Sequence, residues 1–66
     1  MKLIINGETK EFNENITLEK ALEELGLSGK VMAAAVNMEI VKQDKWSVHI
    51  LCDMDKLELL DFVGGG

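Results

Sequence analysis

Lys2-Leu3-Ile4-Ile5-Asn6-Gly7-Glu8-Thr9-Lys10-Glu11-Phe12 sets an apolar, β-branched run against a charged one across Asn6-Gly7. Asparagine and glycine both tolerate φ > 0, the backbone that a two-residue hairpin turn requires, so residues 2–5 are expected to pair with residues 8–12. The return run is mostly charged, which suits a sheet edge that must not recruit other chains. A chain that opens on a hairpin commits to a sheet, and the segments beyond it decide which kind.

The next element is a helix. Thr17 can cap it through its hydroxyl, Glu19 complements the positive end of the helix dipole, and Ile16 can pack across the cap. Leu18, Ala21, Leu22 and Leu25 fall at i, i+3, i+4 and i+7 and form one apolar stripe. Glu19, Lys20, Glu23 and Glu24 lie away from it, and Gly26 is the expected stop.

Residues 31–36 hold three alanines, which favour helix, but the run is short, follows Gly29 and leads into Asn37. Length and flanking residues decide for a buried strand. A short strand is expected at 39–41, a helical turn at 42–46 with Trp46 pointing inward, a turn at Asp53-Met54-Asp55, and a last strand over 56–63. The order of elements predicts an α+β domain, one helix packed on one face of a mixed sheet of about four to five strands. The expected core is Leu3, Ile5, Leu18, Leu22, Leu25, Ala35, Ile40, Trp46, Leu57 and Leu59.

At 66 residues the chain is expected to be one domain, residues 1–63, with a glycine tail at 64–66. A domain of this size buries only about 60% of the surface that its unfolded chain exposes. Disulfides or a metal often reinforce such small folds, but one cysteine, Cys52, and one histidine, His49, permit neither a bridge nor a Cys/His zinc site. A lone thiol fits a reducing compartment, most simply the cytoplasm. The apolar start, residues 1–5, is cut off by Asn6-Gly7-Glu8 far short of a signal-peptide core, and no later run approaches a membrane span. The net charge of −5 argues against nucleic acid as a partner and suits either a basic docking face or solubility alone.

Gly64, Gly65 and Gly66 are three of the six glycines, and they follow directly on the last expected strand. Without Cβ atoms such a stalk fits a channel too narrow for other residues and carries the terminal carboxylate to it. Three extended residues reach roughly 10 Å. The chain shows no Ser/His/Asp set and no phosphate-cradling loop, so no side chain is assigned as catalytic. Cys52 lies in the apolar stretch Val48-His49-Ile50-Leu51-Cys52 and is expected to be a small buried thiol. His49 is expected at the surface, and Asp53 and Asp55 as turn residues without the rest of a calcium loop.

This layout resembles the ubiquitin-like β-grasp fold and, within it, the sulfur-carrier family of thiamine biosynthesis, the ThiS family. The likeness runs through Asn6-Gly7, the helix from Thr17-Leu18 to Leu25, and Ala35-Val36-Asn37 followed by Glu39-Ile40-Val41. It continues through Trp46 and Asp53-x-Asp55 to Val63-Gly64-Gly65-Gly66. The chain departs from the family pattern in three places. Met38 stands for glycine, Lys42 for proline and Met54 for glycine. Methionine disfavours φ > 0, so the turns at Met38 and Met54 are expected to change type.

The resemblance implies a co-substrate and not an enzyme. Gly66 would be adenylated with ATP on an E1-like activating enzyme and converted to a thiocarboxylate by a persulfide donor, then dock on thiazole synthase and yield its sulfur. Gly64 and Gly65 would serve as the spacer, and the carrier itself would hold no metal or cofactor. Leu60 and Phe62 are apolar on the face of the last strand opposite Leu57 and Leu59; a bulge or a fully buried strand would also produce that pattern. A sheet with one helix leaves its second face uncovered, so Leu60 and Phe62 are expected to form a partner-binding patch. The open alternatives are a carrier for another pathway, of the molybdopterin synthase small-subunit type, a ubiquitin-like modifier, or an interaction module with an idle tail.

Overall fold

The computed structural model describes residues 1–61; the expectations for Phe62, Val63 and the glycines at 64–66 lie outside the described residues. Strands β1 (Lys2–Ile5) and β2 (Glu8–Glu11) form the opening hairpin, with Asn6 at φ 49° and Gly7 at φ 88°. Helix α1 (Leu18–Glu24) follows, then β3 (Val31–Val36), β4 (Glu39–Val41), a 3₁₀ turn (Gln43–Lys45) and β5 (Lys56–Asp61). The sheet order is β2-β1-β5-β3-β4, in which β1 and β5 run parallel and every other pair antiparallel. This is the expected α+β arrangement, and it places the last described strand in the middle of the sheet.

The helix forms where its signals lie. The Thr17 hydroxyl accepts from the main-chain N–H of Lys20 at 3.2 Å, and Gly26 stops the helix at φ 74°. Its stripe of Leu18, Ala21 and Leu22 is buried and joins one cluster with Leu3, Ile5, Ala34, Val36, Leu57 and Leu59. Register explains why those strand residues share a face: Leu57 pairs with both Ile5 and Val36, and Leu59 pairs with Ala34. Phe12, Ile16, Val31 and Leu51 complete the buried set, while Leu25 and Trp46 pack on it partly buried. The indole Nε1 of Trp46 donates to the Val41 carbonyl at 2.8 Å, which fixes its inward orientation.

Three expectations are overturned. Ile40 is not core; it is 73% exposed. The two-residue turn Asn37-Met38 pairs Glu39 with Val36 and Ile40 with Ala35, so Val41 takes the inward position and Ile40 the outward one. Cys52 is exposed and not buried, because Leu51 is the residue that turns inward, with its N–H on the Ile16 carbonyl at 2.9 Å.

The turns also keep their left-handed backbone despite methionine, with Met38 at φ 73° and Met54 at φ 68°. Flanking hydrogen bonds hold them there. The Asn37 N–H donates to the Lys56 carbonyl at 2.8 Å, and the Met54 N–H donates to the Lys2 carbonyl at 2.6 Å. A non-glycine residue in this region costs roughly 1–2 kcal/mol, which such surroundings offset.

Candidate functional site

β5 leads toward the glycine tail, so the site begins with what holds it. On one edge it is paired with β3 as far as Val31 opposite Asp61. On the other edge β1 is shorter. The Ile4 N–H donates to the Asp55 carbonyl and the Asn6 N–H to the Leu57 carbonyl, each at 2.9 Å. There the β1 backbone turns away, and the Asn6 side chain continues the ladder. Its Oδ1 accepts from the Leu59 N–H at 2.9 Å, and its Nδ2 points to the Leu59 carbonyl at 3.4 Å.

The sheet face away from the helix is the second component. Leu60 lies on it, 59% exposed, opposite Ala33, and Ile40 lies opposite Ala35. The bulge that could have accounted for the apolar pattern of the last strand is in β3, between Val31 and Ala33, and not in β5. Leu59 and Leu60 therefore face opposite ways, one into the core and one outward. Ala33 and Ala35 form a shallow floor between the larger Ile40 and Leu60, in a hollow of about 290 Å³ that Glu58 also lines. Small residues between large ones leave room for an incoming apolar side chain, and the exposed carboxylate of Glu58 at the rim of the hollow suits a partner with a basic group there.

Of the residues assigned to partner binding, Leu60 is where it was expected. Phe62, the spacer glycines Gly64 and Gly65, and Gly66 itself lie outside the described residues. Ile40, Ala33 and Ala35 belong to the hollow although sequence reasoning did not place them there. The signal was present in the turn: a two-residue loop at Asn37-Met38 fixes which β4 residue pairs with which β3 residue.

The described residues include no group of three or more His, Cys, Asp or Glu side chains placed to hold a metal. Asp53 and Asp55 are turn residues, as expected. Asp53 Oδ1 accepts from the Lys2 N–H at 2.7 Å, and Asp55 accepts from the Cys52 N–H at 2.8 Å and from Asn37 Nδ2 at 2.9 Å. Their carboxylates serve the chain's own turns. His49 is partly exposed, as expected, and its carbonyl accepts from the Leu18 N–H at 2.9 Å. Among the described residues no helix is long and apolar enough to cross a membrane.

The chain is similar to known proteins along nearly its whole length. The ThiS family model matches residues 3–66. The sulfur carrier protein ThiS of Bacillus subtilis strain 168 is 31% identical over 65 residues, covering 97% of this chain and 98% of that protein. A thiazole synthase of Paramagnetospirillum magneticum strain AMB-1 is 42% identical over 66 residues; all of this chain is matched, but it spans only 20% of that protein's length. The crystal structure of the thiamine biosynthesis protein ThiS from Geobacter metallireducens superposes with a TM-score of 0.83 at 26% identity, covering 100% of both chains. The sheet and helix are those of the ubiquitin-like β-grasp fold.

Proposed function

Because the chain belongs to the ThiS family, we propose that it is a sulfur carrier of thiamine biosynthesis whose reacting group is the main-chain carboxylate of Gly66. The observation that carries this reading is the extent of the family match, residues 3–66, which takes in Gly64, Gly65 and Gly66. In this reading the chain is a co-substrate and not an enzyme. Its body docks, and its tail reacts.

A carboxylate resists nucleophiles until its oxygen is made a leaving group. On an E1-like activating enzyme, a carboxylate oxygen of Gly66 attacks the α-phosphorus of ATP, pyrophosphate leaves, and an acyl-adenylate remains. The terminal sulfur of a persulfide donor attacks the carbonyl carbon and expels AMP, which gives an acyl disulfide. A thiol reductant cleaves its S–S bond, becomes oxidised to a disulfide, and leaves the thiocarboxylate. Docked on thiazole synthase, the thiocarboxylate sulfur attacks an electrophilic carbon of the substrate held there, and water then cleaves the acyl C–S bond, which leaves the sulfur on the substrate and returns the tail to a carboxylate. No side chain of the carrier takes part. ATP is consumed by the partner, and the carrier binds no cofactor of its own.

The thiazole synthase relative supports that partner, since a segment similar to this whole chain occupies a fifth of its length. The hollow between Ile40 and Leu60 is the proposed docking surface, with Phe62 beside it in sequence. The free thiol of Cys52 supports a reducing compartment, and we place the carrier in the cytoplasm. Deleting Gly66 tests the reading: sulfur transfer to the thiazole product should be lost while the circular dichroism spectrum is unchanged. Transfer retained by the shortened chain would contradict it.

A further inference from the structure

The Asn6 side chain is not explained by the turn that it occupies. Its φ of 49° is met equally well by glycine, the residue that follows it. What asparagine adds is the amide group, and that group lies against Leu59, 53 residues away in sequence. The parallel ladder of β1 and β5 ends at Ile5 opposite Leu57. Without the side chain, the N–H and C=O of Leu59 would face an edge where β1 has already turned back into the hairpin. The amide stands in for one further residue of β1, donor and acceptor in the order that a strand would present them.

We infer that Asn6 is a positioning residue: its side chain holds Leu59 and thereby fixes the direction in which β5 continues toward the tail. The clamp lies immediately before Leu60, the residue of β5 that points into the docking hollow. Released from it, the backbone of β5 beyond Leu57 pairs, among the described residues, with β3 alone, along a ladder that is irregular between Val31 and Ala33. The strand then pivots on that edge. The consequence for turnover rests on the proposed function, because a reactive carboxylate must arrive in a partner's site at a fixed angle to the docked body. Small misplacements of a reacting group lower the rate without weakening binding.

The test uses the full chain with two substitutions. Asn6→Gly keeps the turn and removes the amide, while Asn6→Asp keeps an acceptor for the Leu59 N–H and sets a carboxylate oxygen against the Leu59 carbonyl. Amide hydrogen exchange should show Leu59 at least about tenfold faster in Asn6→Gly, with the β3–β5 ladder still protected. Residual dipolar couplings of the Leu60 and Asp61 amides should change in the same variant. With the activating enzyme, kcat for pyrophosphate release should fall at least about fivefold while KM for the carrier stays within about twofold, because Ala33, Ala35 and Ile40, on β3 and β4, keep their places in the docking hollow. Asn6→Asp should recover part of the Leu59 protection and part of kcat.

Unaltered Leu59 exchange and couplings in Asn6→Gly would overturn the inference. So would altered exchange with kcat unchanged, or a loss expressed in KM alone. If the wild-type chain releases no pyrophosphate with the activating enzyme, the proposed function falls, and the exchange and couplings at Leu59, Leu60 and Asp61 still decide whether the clamp stands.

Discussion

Asn37 and Lys56 exchange two hydrogen bonds: the Asn37 N–H donates to the Lys56 carbonyl at 2.8 Å, and the Lys56 N–H donates to Asn37 Oδ1 at 3.0 Å. Asn37 thus secures the start of β5 as Asn6 secures its middle, and each asparagine does so from a left-handed turn position at the end of a neighbouring strand. The anchoring at Asn37 also holds the residue beside it in an unfavourable backbone.

That residue is Met38, at φ 73° and 84% exposed, so its side chain returns little for the strain. Met38→Gly should stabilise the domain by about 1 kcal/mol, since glycine occupies this region without steric cost. Urea denaturation measures it. A midpoint that stays in place or falls would show that the left-handed angle at Met38 carries no cost.

Leu51 is 1% exposed and lies in the same cluster as the helix stripe. Its N–H on the Ile16 carbonyl ties the segment before the last turn to the segment before the helix. Leu51→Ala should cost about 3 kcal/mol through lost burial and the cavity left behind. In a domain this small that is a large share of the total, and thermal unfolding should show the midpoint falling by more than ten degrees or so. A shift of only a few degrees would mean that the site collapses around the smaller side chain.

The docking surface is tested by charge. Ile40→Asp and Phe62→Asp should each weaken binding to thiazole synthase or the activating enzyme at least about tenfold, because an interface core does not tolerate an unpaired carboxylate. Ile40→Asp should leave folding unaffected, since the side chain is exposed and faces away from the helix. Equal partner affinity for the wild-type chain and both variants would show that partners do not dock on the hollow.

The sequence carried the local elements of this fold well. The Asn6-Gly7 turn, the Thr17 cap, the Leu18–Ala21–Leu22 stripe and the Gly26 stop each depend on neighbours a few residues away, and each stands where those neighbours put it. Ile40 was misplaced because its side depends on register, which the length of the turn before it fixes and hydrophobicity does not. Cys52 was misplaced for the same reason: in an apolar stretch, alternation decides which residues turn inward, and Leu51 took that place. The methionine turns kept φ > 0 because contacts from distant segments outweigh a local preference. The bond from Asn6 to Leu59 had no local signal at all, since it exists only once β5 lies beside β1.

The reacting group proposed for this carrier is the backbone carboxylate of Gly66. Intact-mass measurement of the protein from its native cell, grown with sulfur and ATP in supply, tests it most directly. The protein should end at Gly66, and part of it should carry a mass increase equal to the exchange of one oxygen for sulfur, localised to the terminal residue by fragmentation. A terminus that carries no sulfur under those conditions, conjugates of higher mass through Gly66, or residues continuing past it would contradict the claim.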